Sequence, residues 1–110
     1  IYANEDITMA AAIAFSDNIY AVKTHLFLGT DTLVDAAHLA GIEEELIGNP
    51  SLALGTTELN MIDFASGYTT FASGGDKKDL YFIERVEDLD GNELYEHKVK
   101  HDYVLNSNNV

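Results

Sequence analysis

Residues Ala12–Gly29, AIAFSDNIYAVKTHLFLG, contain two apolar, helix-favouring stretches separated by one polar triplet, Ser16-Asp17-Asn18. Alanine favours a helix before the triplet. Asn18 is a suitable N-cap for a helix after it, and Gly29 is a suitable stop for that helix. The pattern therefore predicts two helices joined by a tight turn, which exposes small polar side chains while the helices fix their position.

Capping residues extend this helical region in both directions. Thr8 is a suitable cap for the first helix, Thr30 or Asp31 can open a third helix, and Gly41 can close it. We therefore expect three short helices with tight turns within residues 8–41.

The middle of the chain combines a loop and a fourth helix. Residues 42–58 have no clean hydrophobic period, and Pro50 with its neighbouring glycines indicates an ordered loop. Asn60 followed by Asp63 resembles a capping box, with Asp in place of the usual Glu. This pattern predicts a helix over residues 60–73.

The last third of the chain is rich in β-forming residues. The turn pair Asp90-Gly91 lies between LYFIERVED and NELYE, which predicts a β-hairpin over residues 80–96. Residues 97–110 stop where a new helix could begin, so we expect this segment to be truncated. The fold class expected from the whole pattern is α+β and mostly helical, with about four helices and one hairpin.

The composition restricts the possible functions. The 110 residues suggest one domain or part of one, and the formal net charge of −13 makes nucleic acid an unfavourable partner. The absence of cysteine excludes disulfides, thiolate zinc sites and cysteine catalysis. No apolar run approaches the ~20 residues of a membrane span, and no targeting segment is visible.

The triplet alone is a weak signal. A Ser-x-Asn pattern occurs both at Ser16-Asp17-Asn18 and at Ser107-Asn108-Asn109, and a plain turn with a helix cap explains either. The functional interpretation of the first triplet therefore depends on the sequence around it.

That context resembles the transpeptidase domain of class A penicillin-binding proteins. The three similar stretches are ITMAAAIAFSDNIYAVK (7–23), PSLALGTTELNMIDFASGYTTFASGG (50–75) and YFIERVEDLDGNELYE (81–96), in the order that the family has them. The similarity extends from about Ile7 to Tyr95. It implies that the chain is the central part of a penicillin-binding, β-lactamase-like transpeptidase domain.

The resemblance implies roles for two residues of the triplet. The family combines Ser-x-x-Lys, Ser-x-Asn and Lys-Thr-Gly motifs. By this resemblance Ser16 relays a proton between the lysines and the leaving amine, and Asn18 binds the acyl-donor peptide and helps to hold a lysine. Asp17 occupies the variable position, and the resemblance gives it no chemical role. A hydroxyl both donates and accepts hydrogen bonds, and an amide stays neutral, which suits both tasks.

The other two motifs are absent from this chain. No Ser-x-x-Lys occurs, and the one Lys-Thr pair, Lys23-Thr24, is followed by His25. Nucleophilic catalysis needs the serine and its base, so we expect this fragment alone to be inactive. Faces that the rest of the domain covers would be exposed, and we expect the fragment to self-associate.

For the parent protein the resemblance implies a serine-type D,D-transpeptidase. Such an enzyme cross-links peptidoglycan stem peptides through an acyl-enzyme at the outer face of the bacterial cell membrane, and β-lactams acylate it. The implied partners are the remainder of the transpeptidase domain and an upstream glycosyltransferase domain. No metal or organic cofactor is implied. The alternatives are a serine β-lactamase fragment, which shares Ser-Asp-Asn, and a non-catalytic scaffold or binding domain with the same fold.

Other residues have simpler interpretations. His97 and His101 have the i, i+4 spacing of a helical metal pair but lack an evident third ligand. His25 is expected at a helix surface or boundary, and Tyr68 and Phe71 are expected in the core. The alternating residues Asp88, Asp90 and Asn92 resemble the start of a calcium loop, but the hairpin turn explains them better.

Overall fold

Three short helices form the first part of the computed structural model, which describes residues 3–110. They are α1 (Met9–Ala14), α2 (Asn18–Leu28) and α3 (Thr30–Ala40). Thr8 caps α1 as predicted, because its Oγ1 accepts a hydrogen bond from the Ala11 N–H at 3.2 Å. Gly29 ends α2 with a φ of 97°, a conformation that side chains disfavour.

The predicted N-cap of α2 is wrong by one residue. The cap is Asp17, whose Oδ1 accepts a hydrogen bond from the Tyr20 N–H at 2.9 Å, and Asn18 is already the first residue of the helix. The physical reason is that a cap must have an extended backbone, and Asp17 has one, with φ −72° and ψ 108°.

The loop after α3 contains a short 3₁₀ helix, Pro50–Leu54, which we call the 3₁₀ segment. Asn49, just before it, has its carbonyl oxygen 2.9 Å from His25 Nε2 of α2. The expected surface position of His25 is therefore wrong. Its side chain is only 4 % exposed, because the ring finds this backbone partner 24 residues further along the chain.

The fourth helix, α4, spans Met61–Ala72 and packs through its small residues. Thr70 is fully buried and its Oγ1 donates a hydrogen bond to the carbonyl of Ala40, while a Cβ on Gly67 would meet Ile42 at 3.2 Å. Tyr68 and Phe71 are mostly exposed, so their expected core positions are wrong.

The β-hairpin consists of β1 (Arg85–Glu87) and β2 (Glu93–Glu96), which are antiparallel and shorter than the predicted range. The turn centres on Leu89 and Asp90, and the Gly91 N–H donates to the Asp88 carbonyl at 3.1 Å. Gly91 has a φ of 83°, which explains the glycine there.

The segment after the hairpin returns to the end of α4. The Lys77 N–H donates to the Asp102 carbonyl at 2.8 Å, and the Val104 N–H donates to the Gly75 carbonyl at 3.0 Å. A Cβ on Gly75 would lie 2.3 Å from the Leu105 carbonyl oxygen, so this close approach requires glycine. A 3₁₀ turn, Ser107–Asn109, follows.

The chain divides into two compact units. The first comprises the residues up to His38 together with Glu43–Asn60, and the second comprises Leu39–Ile42 together with Met61–Val110. Among residues 3–110 the buried apolar side chains are Ala12 in the first unit and Ala40 in the second. The expected α+β, mostly helical fold class is confirmed, with four α-helices and one antiparallel hairpin within the described residues.

Candidate active-site triplet

Ser16 lies at the C-terminal end of α1 in a left-handed backbone conformation, with a φ of 53°. The Ser16 N–H donates to the Ile13 carbonyl at 3.1 Å, and the Asp17 N–H donates to the Ala12 carbonyl at 2.9 Å. This pair of bonds is a Schellman motif, in which glycine normally occupies the left-handed position. A serine there costs about 1–2 kcal/mol of backbone strain. Strain of this kind concentrates at functional sites.

Asp17 is the buried member of the triplet, with 8 % of its surface exposed. Its Oδ1 caps α2 through Tyr20, and its Oδ2 accepts a second bond from the Ala3 N–H at 3.4 Å. The hydrogen bond from the Tyr20 N–H, assisted by that from Ala3, holds the pKa of Asp17 below its usual range. Asp17 therefore stays ionised and joins three backbone elements: the end of α1, the start of α2 and the chain before α1.

Ser16 and Asn18 flank this buried carboxylate and are both exposed. They line one cavity of about 250 Å³, which we call the Ser16 groove. Its walls come from α1, the triplet, α2 and the 3₁₀ segment: Ala12, Ile13, Ser16, Asp17, Asn18, Tyr20, Ala21, Ala53 and Leu54. The structure thus brings the two sequence-predicted site residues together in one groove of the first unit.

The groove presents the Ser16 hydroxyl and the Asn18 carboxamide beside an apolar wall. A hydroxyl can pass a proton without holding a charge, and the carboxamide offers a donor and an acceptor at fixed spacing. Asp17 is a weak base because its carboxylate already accepts backbone hydrogen bonds and its pKa is lowered. The groove can therefore relay protons and bind amides, but activation of a nucleophile needs a stronger base.

The two histidines considered for a metal have other partners. His97 stacks on Tyr81 with ring centroids 3.6 Å apart, and residues 97–101 are not helical, so the helical spacing argument does not apply. His101 Nδ1 lies 2.7 Å from Asp76 Oδ2. Within residues 3–110 no group of three His, Cys, Asp or Glu side chains is arranged to hold a metal.

The residues considered for calcium belong to the hairpin turn. Asp88 Oδ1 accepts hydrogen bonds from the N–H groups of Asp90 and Asn92 at 3.0 and 2.8 Å. Asp88 Oδ2 accepts from Asn92 Nδ2 at 2.9 Å. These bonds, led by the one from the Asn92 side chain, lower the pKa of Asp88. Its carboxylate thus closes the turn.

Sequence reasoning missed two structurally important carboxylates. The first is Asp17, which could have been predicted as the N-cap of α2 in place of Asn18, since Asp is an equally good cap.

The second is Asp76, which is 2 % exposed and receives hydrogen bonds from Lys78, His101 and the Asp102 N–H. The bonds from Lys78 and then His101 hold the pKa of Asp76 far below its usual range. No local pattern marks Asp76, because two of these partners are 25 and 26 residues away.

Comparison with known proteins extends these observations. A family model for the penicillin binding protein transpeptidase domain matches residues 2–109. Penicillin-binding protein 2D of Bacillus subtilis is 51% identical over 104 residues, which cover 94% of this chain and 15% of that protein. Penicillin-binding protein 1A of Pseudomonas aeruginosa is 34% identical over 91 residues, which cover 82% of this chain and 11% of that protein.

A solved structure agrees with the fold. The crystal structure of penicillin-binding protein 1A from Haemophilus influenzae superimposes with a TM-score of 0.68 and 26% identity, covering 78% of this chain and 13% of that one. The chain thus spans a small part of the length of the relatives it matches. Among residues 3–110, every helix is too short or too polar to cross a lipid bilayer.

The expected resemblance to class A penicillin-binding proteins is confirmed by a family match over nearly the whole chain, by relatives named penicillin-binding protein 1A and 2D, and by the shared fold. This chain belongs to the penicillin-binding protein transpeptidase domain family.

Proposed function

We propose that the protein carrying this chain is a serine-type D,D-transpeptidase that cross-links peptidoglycan stem peptides. The observation that carries the proposal is the joint exposure of Ser16 and Asn18 in one groove, held by the buried Asp17, within a transpeptidase-family chain. A turn between two packed helices presents side chains while it fixes their positions, as a catalytic site requires.

In this proposal Ser16 is the proton relay. A serine outside this chain gives its proton to a lysine of the complete site and attacks the carbonyl carbon of the donor peptide. Its ester forms as the amide bond breaks, and the leaving amine takes up a proton. An acceptor amine then attacks the ester, forming the cross-linking amide, and its proton returns to the serine oxygen as the ester bond breaks. Ser16 passes the proton for the leaving amine from the lysines of the complete site, since its hydroxyl accepts on one side and donates on the other. Positioned proton transfer of this kind is worth about 10²–10⁴-fold in rate.

Asn18 is the proposed substrate-binding residue. Its carboxamide can accept a hydrogen bond from the donor peptide's N–H and donate one to its carbonyl. It also provides an oxygen that can hold a neighbouring lysine. Asn18 is the first residue of α2, so the helix fixes its backbone next to Ser16.

The chain alone is proposed to be inactive. It contains no Ser-x-x-Lys, and the lowered pKa of Asp17 leaves the Ser16 groove without a strong base among its lining residues. The proposed partners are the remainder of the transpeptidase domain and an upstream glycosyltransferase domain, at the extracellular face of the bacterial membrane. β-Lactams are the proposed covalent inhibitors, and no cofactor takes part.

Labelling of the full-length protein with a fluorescent penicillin tests this function. We expect a long-lived covalent adduct, with the labelled peptide lying outside residues 1–110. Rapid hydrolysis of the penicillin without a persistent adduct would instead indicate a serine β-lactamase. A protein that neither binds the label covalently nor hydrolyses it would be a non-catalytic scaffold.

The isolated chain provides the matched control. Under the same conditions residues 1–110 should remain unlabelled, because the nucleophile is elsewhere. A specific adduct on this chain would contradict the proposal that the acylated serine lies outside residues 1–110.

A further inference from the structure

The 3₁₀ segment supplies one wall of the Ser16 groove. Ala53 and Leu54 line the same cavity as Ser16 and Asn18, and Leu54 is partly exposed there. Neither side chain can donate or accept a hydrogen bond, so these two side chains can discriminate ligands by size and apolar contact. The groove therefore combines polar groups on the triplet with an apolar surface on the 3₁₀ segment.

A second cavity of about 350 Å³ adjoins this wall within the first unit. It shares Ile13, Tyr20, Ala21 and Ala53 with the Ser16 groove. Its other lining includes apolar side chains such as Leu28 of α2. Ala53 thus lines both the Ser16 groove and this second, mostly apolar cavity.

Several hydrogen bonds fix the 3₁₀ segment in place. His25, buried in α2, has its Nε2 2.9 Å from the Asn49 carbonyl oxygen just before the segment. Ser51 Oγ donates to Asn49 Oδ1 at 3.0 Å, and Thr56 Oγ1 lies 3.0 Å from the Ser51 carbonyl and 2.9 Å from Ser51 Oγ. A wall held in this way is preorganised and can discriminate between ligands with little rearrangement.

The helix α2 therefore positions both the Asn18 side of the groove and the 3₁₀ segment opposite it. Asn18 begins α2, and His25, seven residues or about 10 Å further along the helix axis, anchors the 3₁₀ segment. A substitution at His25 therefore acts on the contact that anchors the 3₁₀ segment and on the lining of the second cavity, to which His25 belongs, and leaves the residues of the triplet unchanged.

We propose that the 3₁₀ segment is the specificity-determining wall of the Ser16 groove, and that His25 is its positioning residue. Ala53 and Leu54 contact the apolar substituent of the acyl donor, or of a β-lactam that takes its place, beside the group held by Asn18. This inference rests on the proposed function, since it assigns a preference to the same groove.

The role of the 3₁₀ segment in specificity is tested by shortening the Leu54 side chain to alanine in the full-length protein. Second-order acylation rate constants are measured for benzylpenicillin and for 6-aminopenicillanic acid, which has the same bicyclic nucleus without the apolar acyl side chain. The ratio compared is the rate constant for benzylpenicillin divided by that for 6-aminopenicillanic acid. Leu54→Ala should lower this ratio about tenfold, which is the usual effect of losing one or two methylene contacts in an apolar pocket. The control is Leu89→Ala, because Leu89 is fully exposed in the hairpin turn.

The outcomes separate this inference from the proposed function. Normal acylation of the Leu54→Ala variant with an unchanged ratio would overturn the specificity wall alone. If the unsubstituted protein is acylated by neither compound, the proposed function fails and this inference fails with it. An equal fall of the ratio in Leu89→Ala would also overturn the assignment, since that residue is outside the groove.

The positioning role is tested with two substitutions at His25. His25→Leu keeps a similar bulk but removes the donor to Asn49, and it should lower the same ratio as Leu54→Ala does. His25→Gln keeps a side-chain N–H donor and should retain most of the unsubstituted ratio. A lower melting temperature with an unchanged ratio in both variants would show that His25 is merely structural and would overturn its role here.

Discussion

Asp17 Oδ1 accepts a hydrogen bond from the Tyr20 backbone N–H at 2.9 Å, and this contact fixes the turn that exposes Ser16 and Asn18. The residue without an assigned chemical role is thus the one that the fold buries. Its carboxylate also accepts a hydrogen bond from the Ala3 N–H, so Asp17 contacts the chain before α1 as well as the start of α2. We propose that the positions of the Ser16 and Asn18 side chains depend on this buried anchor.

The first prediction concerns that anchor. Asp17→Ala removes both acceptors, so in the full-length protein it should lower the penicillin acylation rate by about 10²-fold, the usual effect of a small displacement of catalytic groups. Asp17→Asn keeps one oxygen for the Tyr20 N–H and should retain most of the activity. Stopped-flow acylation measures both. Equal rates for Asp17→Ala and the unsubstituted protein would show that the anchor is dispensable.

A second prediction follows from the strained backbone of Ser16. Glycine adopts a φ of 53° without a steric penalty, which removes the strain of about 1–2 kcal/mol. Glycine also loses more backbone entropy on folding, roughly 0.5–1 kcal/mol, so Ser16→Gly should raise the free energy of unfolding by up to about 1 kcal/mol. The same variant should lose most of its acylation rate because the hydroxyl is gone. The control is Ser16→Ala, which also lacks the hydroxyl but keeps the strain. Denaturant unfolding should rank glycine above alanine, and the reverse order would contradict the strain argument.

The buried carboxylate Asp76 predicts acid sensitivity. Hydrogen bonds from Lys78 and His101 lower its folded pKa, so its contribution to stability is present above the ordinary Asp pKa of about 4 and is lost as the pH falls below that value. Asp76→Asn should therefore be less stable at neutral pH, and the difference should shrink between about pH 5 and pH 2. Thermal unfolding across this range measures it.

The control for this prediction is the nearby exposed carboxylate Asp79, because Asp79→Asn should change stability little at any pH. A difference between Asp76→Asn and the unsubstituted protein that stays constant with pH would refute the assigned role of Asp76.

A fourth prediction concerns association. Large apolar side chains are exposed on both units, including Phe27 on α2 and Phe82 before the hairpin, at 88 and 93 %. An exposed apolar surface of this kind favours burial against another surface. We expect the isolated chain to self-associate despite its net charge of −13. Sedimentation that shows a monomer at all concentrations would rule this out.

Local sequence patterns predicted the helices and the turn position well. Thr8, Gly29 and the Asp90-Gly91 pair act through neighbours within four residues, so their roles could be inferred from spacing. The cap of α2 was misplaced because Asp17 and Asn18 have similar propensities, and the choice depends on how α1 ends. There the Asp17 N–H already closes the Schellman motif.

The burial of residues whose partners are distant in the chain could not be predicted from local sequence patterns. His25 is buried because the Asn49 carbonyl satisfies its ring, and Asp76 is buried because His101 and Asp102 return to it. Tyr68 and Phe71 have core-like spacing, but α4 packs through smaller residues. Such contacts depend on tertiary structure, which periodicity alone does not encode.

The measurement that tests the central claim most directly is the acylation rate of the full-length Ser16→Ala protein with a fluorescent penicillin. If Ser16 relays the proton, the second-order rate constant should fall by about 10²–10⁴-fold while the melting temperature stays unchanged. A Ser16→Ala protein that is acylated as fast as the unsubstituted one would contradict the assigned role of the triplet.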